Sequence, residues 1–424
     1  MRQTLFFIPH ELAGLPVFGF GWVFAIWALA SLGYLGWLIA KQGFSPEVRG
    51  LVPVLLVVGA VLLWVLPAVE EPGEGLPIRG YGVMMLLAVG SGMWLALERA
   101  RRMGLDPDLI VSLAFWMFVS GIVGARVFYV VEYWSQMRSR LEAPSLMSLL
   151  GMLVNYTRGG LVVYGALAGA AIAFLAFCWR RKLPTLAIAD LIAPSLALGQ
   201  GLGRLGCFLS GCCFGGACDL PWAVTFPWGT APHVHQIRTG QTDLHGLWLD
   251  YSKQEPVVAK VEPDSAAALS GIAAGDRLEE IDGQRVGSSE QALAMLVSAP
   301  PGEELVVTVA GKPPLMWATS VPLPRSRPVH PAQLYSAFDA LLLCGLLLAY
   351  YPFRRRDGEV IALGLTLHAI TRYLLEVIRI DEPSVFGTGL SISQTISVGL
   401  LVALAAGWAW LLTRPRGTAL PAAA

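Results

Sequence analysis

The sequence predicts an all-α polytopic membrane bundle of about nine transmembrane helices, interrupted by one α+β insert. Composition, the length of the apolar runs and the alternation of charge between them carry this reading. Of 424 residues, 55% are hydrophobic and 14% charged, and the 30 basic and 30 acidic side chains cancel. With a mean hydropathy of +0.60 the chain is too apolar for a soluble globular protein. Zero net charge also removes the global electrostatic argument for a nucleic-acid partner. Apolar runs of about twenty residues, long enough to cross a bilayer core, fall at 18–39, 51–69, 81–97, 109–131, 160–179, 187–208, 334–351, 360–378 and 392–412. No small-residue cleavage site closes the first run early, so it reads as an uncleaved helix. Basic residues alternate between the connections as the positive-inside rule requires. Lys41 and Arg49, Arg99 with Arg101 and Arg102, Arg180 with Arg181 and Lys182, Arg354 to Arg356, and Arg414 with Arg416 share one side. Glu70, Glu71, Glu74 and the stretch 209–333 share the other. The amino terminus is therefore expected outside and the carboxyl terminus, with a 416–424 tail, in the cytoplasm.

Near residue 250 the pattern changes to charges, alternation and turn residues, which marks a soluble insert. Residues 257–261 read as a strand, 265–269 as a short helix, and 271–278 as a turn entering a second strand. Asp282-Gly283 is a tight-turn signal, 289–297 a capped helix, and 304–309 an alternating strand. With its core Ala267-Ala268 to Asp282-Gly283, the succession resembles a PDZ domain of the bacterial type over residues 243–323. That resemblance implies a peptide groove entered at Gly246, Leu247, Trp248 and Leu249, with Trp248 standing where a small residue is usual. The possible ligand is an extended peptide bound by strand addition; the alternative is a rigid spacer without ligand.

Within the bundle, Arg204 ends an apolar run inside Gly203-Arg204-Leu205-Gly206, with further glycines at 199, 201, 211 and 215. An ionisable side chain at the centre of a bilayer costs at least about 2.5–3.5 kcal/mol, so one that persists usually faces a cavity and binds something. A planar guanidinium among glycines suits a phosphate, although an arginine snorkelling beside a packing motif has the same sequence pattern. Arg126 and Arg372 bring the intramembrane arginines to three, against Glu132 and Glu376, and the excess favours an anionic ligand. Tyr81 and Tyr164 also lie at these depths, where they could equally be interfacial anchors.

Ile78-Arg79-Gly80-Tyr81-Gly82, Gly124-Ala125-Arg126, Gly159-Gly160-Leu161 with Tyr164-Gly165, Gly203-Arg204-Leu205-Gly206, His330-Pro331-Ala332-Gln333-Leu334-Tyr335, Arg372 to Arg379 and Ser393-Gln394 occur in an order and spacing that resembles the prolipoprotein diacylglyceryl transferases. The resemblance covers residues 76–415 without the insert, which makes seven of the helices family-like. It implies two extra helices in 1–70, a membrane core in 71–242 and 324–415, and the insert at 243–323. It also implies a bacterial inner-membrane protein whose site and insert face the periplasm. The substrates would be phosphatidylglycerol, drawn from the membrane lipid, and the lipobox region of preprolipoproteins, with no cofactor and no metal. By resemblance Arg204 contacts the headgroup phosphate and Arg372, Glu376 and Arg379 complete an ion-pair network. Tyr81 and Gly215 line the pocket, with Arg126, Gly203, Gly206, Gln333 and Tyr335 as further binding residues. This chain departs from the family pattern in having Tyr164 where a histidine is common and His368 where a tyrosine is common. Tyr is a poor base, with a reference pKa near 10, which leaves His330 and His368 as candidate proton acceptors.

Two rival readings remain open. Cys207, Cys212, Cys213 and Cys218 crowd together, which fits a disulfide, packing thiols, or a membrane thiol-redox or metal-handling protein, although paired C-x-x-C units are absent. The other rival is a decayed enzyme serving as a scaffold for the insert, against which the intramembrane arginines weigh.

Overall fold

The computed structural model describes residues 3–71, 73–134, 162–299, 302–320, 325–380 and 387–421. The motif Gly159-Gly160-Leu161 lies outside the described residues. Among those described, nine helices are long and apolar enough to cross a membrane. In chain order the helices are α1 (Trp22–Gln42), α2 (Val48–Val69), α3 (Gly80–Arg102), α4 (Pro107–Glu132), α5 (Val163–Arg181) and α6 (Thr185–Ser210), then the short α7 (Ala231–Arg238), α8 (Ala266–Leu269) and α9 (Ser289–Ser298), and finally the long α10 (Ala332–Phe353), α11 (Glu359–Ile378) and α12 (Ile392–Thr413). The nine long ones fall on the nine apolar runs. The chain forms two compact units, residues 1–84, 206–212 and 217–329 in the first and 85–205, 213–216 and 330–424 in the second.

In the first unit, strand β1 (Thr4–Ile8) pairs antiparallel with a later strand (Leu76–Arg79) that leads into α3. Hydropathy does not reveal this pairing. The Gly80 amide donates to the Gln3 carbonyl at 2.9 Å, so the ladder ends where α3 begins. The insert has a two-stranded ladder of Leu247–Leu249 with Val258–Val261. Its second sheet has four strands: Leu315–Ala318, Glu304–Val309, Leu278–Ile281 and Gln284–Arg285, in that spatial order. Asp282 (φ 47°) and Gly283 (φ 74°) make the hairpin between the last two, a left-handed pair that a glycine accommodates without strain. Along 304–309 the burial alternates, putting Leu305, Val307 and Val309 into one core with Leu278, Ile281, Leu293 and Leu296. Ser288 caps α9 by accepting from the Gln291 amide at 3.2 Å. Ser289, the residue that opens the predicted helix, turns inward and donates to the Glu255 carbonyl at 2.9 Å.

In the second unit, α4 and α5 approach so closely that only glycines fit between them. A Cβ on Gly124 would lie 2.4 Å from the Gly165 carbonyl oxygen, and one on Gly169 would lie 2.2 Å from that of Ser120. This is the small-residue contact that brings helix backbones together where lipid removes the hydrophobic drive. It also fixes Tyr164, the neighbour of Gly165, at the start of α5. Gly358 (φ 98°) is the N-cap of helix α11, and amides at this helix start are capped from another helix. Asp190 of α6 is fully buried and accepts from the Gly358 amide at 2.7 Å and the Ile361 amide at 2.8 Å. The end of the chain is also held. Arg354 donates to the Leu420 carbonyl at 2.6 Å, Asp357 accepts from the Ala419 amide at 2.9 Å, and Leu420 joins the core of this unit.

Two outcomes follow from this packing. Gly165→Val is expected to destabilise the protein by about 1–3 kcal/mol or more through overpacking, read as a lower Tm in detergent. In the insert, burial pushes the Tyr251 phenol up to about 12. The native state thus keeps a proton that the unfolded chain loses near pH 10. This stabilisation is complete below pH ~10 and disappears as pH rises through ~12. Thermal unfolding at stepped alkaline pH should show a shallower loss in Tyr251→Phe than in wild type.

Candidate active site

Helix α11 places His368, Arg372, Glu376 and Arg379 three or four residues apart, so their side chains share one face. The Glu376 side chain is 2% exposed; Oε2 lies 2.5 Å from Nη1 of Arg372 and 3.6 Å from Nη1 of Arg379. One carboxylate therefore serves two guanidiniums. Arg372 also donates through Nη2 to Ser393 Oγ at 2.7 Å, and Ser393 Oγ lies 3.2 Å from the hydroxyl of Tyr164. His368 Nδ1 is 3.4 Å from Nε2 of Gln200 on α6, and Arg204, Arg372 and Asp339 lie within electrostatic reach of its ring. Asp339 of α10 accepts from the Thr371 hydroxyl at 2.9 Å. Arg204 is half-buried, and its guanidinium makes no hydrogen bond or ion pair among the described residues.

Gly215 and His330 meet through the backbone. The Gly215 amide donates to the His330 carbonyl at 3.0 Å, the His330 amide to Gly216 at 2.9 Å, and the Gly216 amide to Ile378 near the end of α11 at 2.9 Å. A Cβ on Gly215 would stand 2.6 Å from that of His330. In this unit Gly215 thus acts by allowing close approach. His330 Nδ1 is 3.4 Å from the Tyr335 hydroxyl, and Gln333 between them is buried.

Arg126 is buried on α4 with its guanidinium over the Tyr129 ring, 5.1 Å from the centroid. Gly203 has only the Met85 sulfur near a built Cβ, at 3.8 Å. Tyr81 and Gly206 belong to the first unit, where a Cβ on Gly206 would lie 3.2 Å from the tyrosine ring. In the insert, Leu247 and Leu249 are buried core residues and Trp248 faces the Lys260 ammonium at 4.5 Å. The Gly246 amide donates to the Asp243 carboxylate at 2.8 Å and the Leu247 amide to the Leu244 carbonyl at 3.2 Å. The six cysteines form no disulfide. Cys178 and Cys344 are packed in the core, and the Cys212 thiol donates to the Cys207 carbonyl at 3.7 Å.

A largely apolar hollow of about 600 Å³ opens in the second unit, lined among others by Met85, Ala88, Leu113, Ala166 and Ile192, with Ser195 as a polar exception. Its walls come from α3, α4, α5 and α6, and they suit hydrocarbon. The family model for prolipoprotein diacylglyceryl transferase matches residues 71–410. This chain belongs to that family. A phosphatidylglycerol–prolipoprotein diacylglyceryl transferase of Rhodopirellula baltica is 34% identical over 455 residues, covering 98% of this chain and 90% of its own. That alignment takes in the first two helices and the insert. Enzymes of the same name from Thermosynechococcus vestitus and Clostridium tetani are 34% and 35% identical over 38% and 36% of this chain, and 58% and 57% of their own.

Sequence reasoning gave Ser393, Gln200, Asp339 and Asp190 no role. The signal that found Arg204, a polar residue inside an apolar run, was present for all four. As a test of the backbone junction, Gly215→Ala should speed amide exchange at 215–216 and 330–332. Gly216→Ala should do so less, because its Cβ would meet the flexible Ile380 side chain at 3.3 Å and the Ile378 carbonyl at an ordinary 3.6 Å.

Proposed function

We propose that this chain transfers the diacylglyceryl group of phosphatidylglycerol to the lipobox cysteine thiol of preprolipoproteins, the step of lipoprotein maturation that leaves a thioether. The observation that carries the reading is Arg204, a half-buried guanidinium with no partner among the described residues, which with Arg372 lies within electrostatic reach of His368 in a member of this family. A permanent cation that finds no partner among the described residues favours an anionic ligand. The headgroup phosphate supplies it, and the apolar hollow offers room for the acyl chains of the same lipid.

In the reaction the cysteine sulfur attacks the glyceryl carbon that bears the phosphate. The S–C bond forms, the C–O bond breaks, and its electron pair leaves on glycerol phosphate. Arg204, assisted by Arg372, stabilises the growing negative charge on that leaving group in a setting of low dielectric. The thiol proton passes to His368, which lies within electrostatic reach of both arginines, and from there to the departing phosphate. His330, tied to Tyr335, is the alternative acceptor. This assignment gives the membrane core residues 71–242 and 324–415, with the site toward the periplasm. The insert, 243–323, is read as PDZ-like. The amides of its Gly246 and Leu247 are engaged within the chain, which favours a spacer that orients the substrate polypeptide over capture of a peptide carboxylate.

The test is transfer from labelled phosphatidylglycerol to a lipobox peptide by the purified protein. Arg204→Ala is expected to lose at least about a hundredfold in kcat/KM, with Arg204→Lys recovering part, and a chelator should have no effect. His368→Asn should lower kcat about a hundredfold or more, and His330→Asn much less; the reverse order would make His330 the acceptor. No product from folded, lipid-binding wild type would reject the transfer reading.

A further inference from the structure

Three helices that are remote in sequence meet at one hydroxyl. Ser393 sits in the first turn of α12 and is 4% exposed. It accepts from Arg372 Nη2 of α11 at 2.7 Å and lies 3.2 Å from the Tyr164 hydroxyl at the start of α5. Its backbone is held as well. Ser391 and Gln394 form a capping box around it, with bonds of 3.2 and 3.0 Å, and the Ser397 hydroxyl donates to the Ser393 carbonyl at 2.8 Å. The geometry points to Ser393 as a positioning residue that fixes the Arg372 guanidinium in the site and couples it to Tyr164.

Arg372 has a long side chain and makes its ion pair with Glu376 through Nη1. The charge-assisted bond from Nη2 to Ser393 holds the other side of the fork, and contacts on two different nitrogens restrain the guanidinium plane more than either does by itself. A hydroxyl that accepts from a cation is polarised to donate onward, so Arg372, Ser393 and Tyr164 behave as one unit. This accounts for Tyr164 where the family commonly has a histidine. A phenol is a weak base, yet it can serve as a fixed hydrogen-bonding post at the far end of this chain of contacts. The α4–α5 glycine contact holds that post still.

This inference rests on the transfer reading above, and the experiment separates the two. Ser393→Ala, Ser393→Thr, Tyr164→Phe and the double variant Tyr164→Phe/Ser393→Ala are compared with wild type for kcat, KM for phosphatidylglycerol and Tm. Ser393→Ala should lower kcat about tenfold or more, the size expected for losing one hydrogen bond to a charged group, with Tm unchanged. Ser393→Thr, which keeps the hydroxyl, should restore most of the rate. The double variant should be no slower than the slower single one, because the groups act together. The inference is overturned if Ser393→Ala is as fast as wild type, if rate and Tm fall together without rescue by threonine, or if the losses multiply in the double variant. Should wild type itself transfer nothing, binding of phosphatidylglycerol in nanodiscs decides. Weaker binding by Ser393→Ala with recovery in Ser393→Thr upholds the positioning role, and equal binding by all overturns it.

Discussion

The carboxylate of Asp190 holds the start of α11, and the candidate site in the second unit depends on where that helix starts. The first amides of a helix have no partner inside it, and in apolar surroundings each one left unmade is expensive. Asp190 supplies two of the missing acceptors from α6, to Gly358 and Ile361, while remaining fully buried. The helix beginning there sets His368, Arg372, Glu376 and Arg379 on one face. A shift of one residue would turn that face by about 100° and scatter the network.

On the proposed reading, the chemistry draws on the positive charges held near this face. Glu376 neutralises one of the two arginines it touches, Ser393 steadies Arg372 with a neutral hydroxyl, and Arg204 has no anionic partner among the described residues. Low dielectric strengthens the pull of such a cluster on a phosphate. The same surroundings make it costly without one. On the transfer reading, that pull is what holds the headgroup phosphate.

Much of the fold was legible in the chain. Nine apolar runs became nine helices, and the alternation at 304–309 and the Asp282-Gly283 turn appear where they were read. Three features were not legible, and each joins segments far apart in sequence: β1 on Leu76–Arg79, Asp190 on the amides of α11, and Leu420 in the core of the second unit. Local propensity and hydropathy sum over neighbours along the chain, and no such sum contains a partner many residues away.

The candidate site divides along the same line. Sequence by itself determined that this is a membrane protein, which runs are long and apolar enough to cross a bilayer, that arginines lie within those runs, and that Arg372 and Glu376 lie within helical reach of one another. Those facts need only composition and a period of 3.6 residues. Tertiary structure decided that Ser393 joins Arg372 to Tyr164, that Gly215 serves a backbone contact with His330, and that Arg204 stands without a partner among the described residues. Those outcomes are distances between helices, set by how glycine contacts and buried caps let the helices approach.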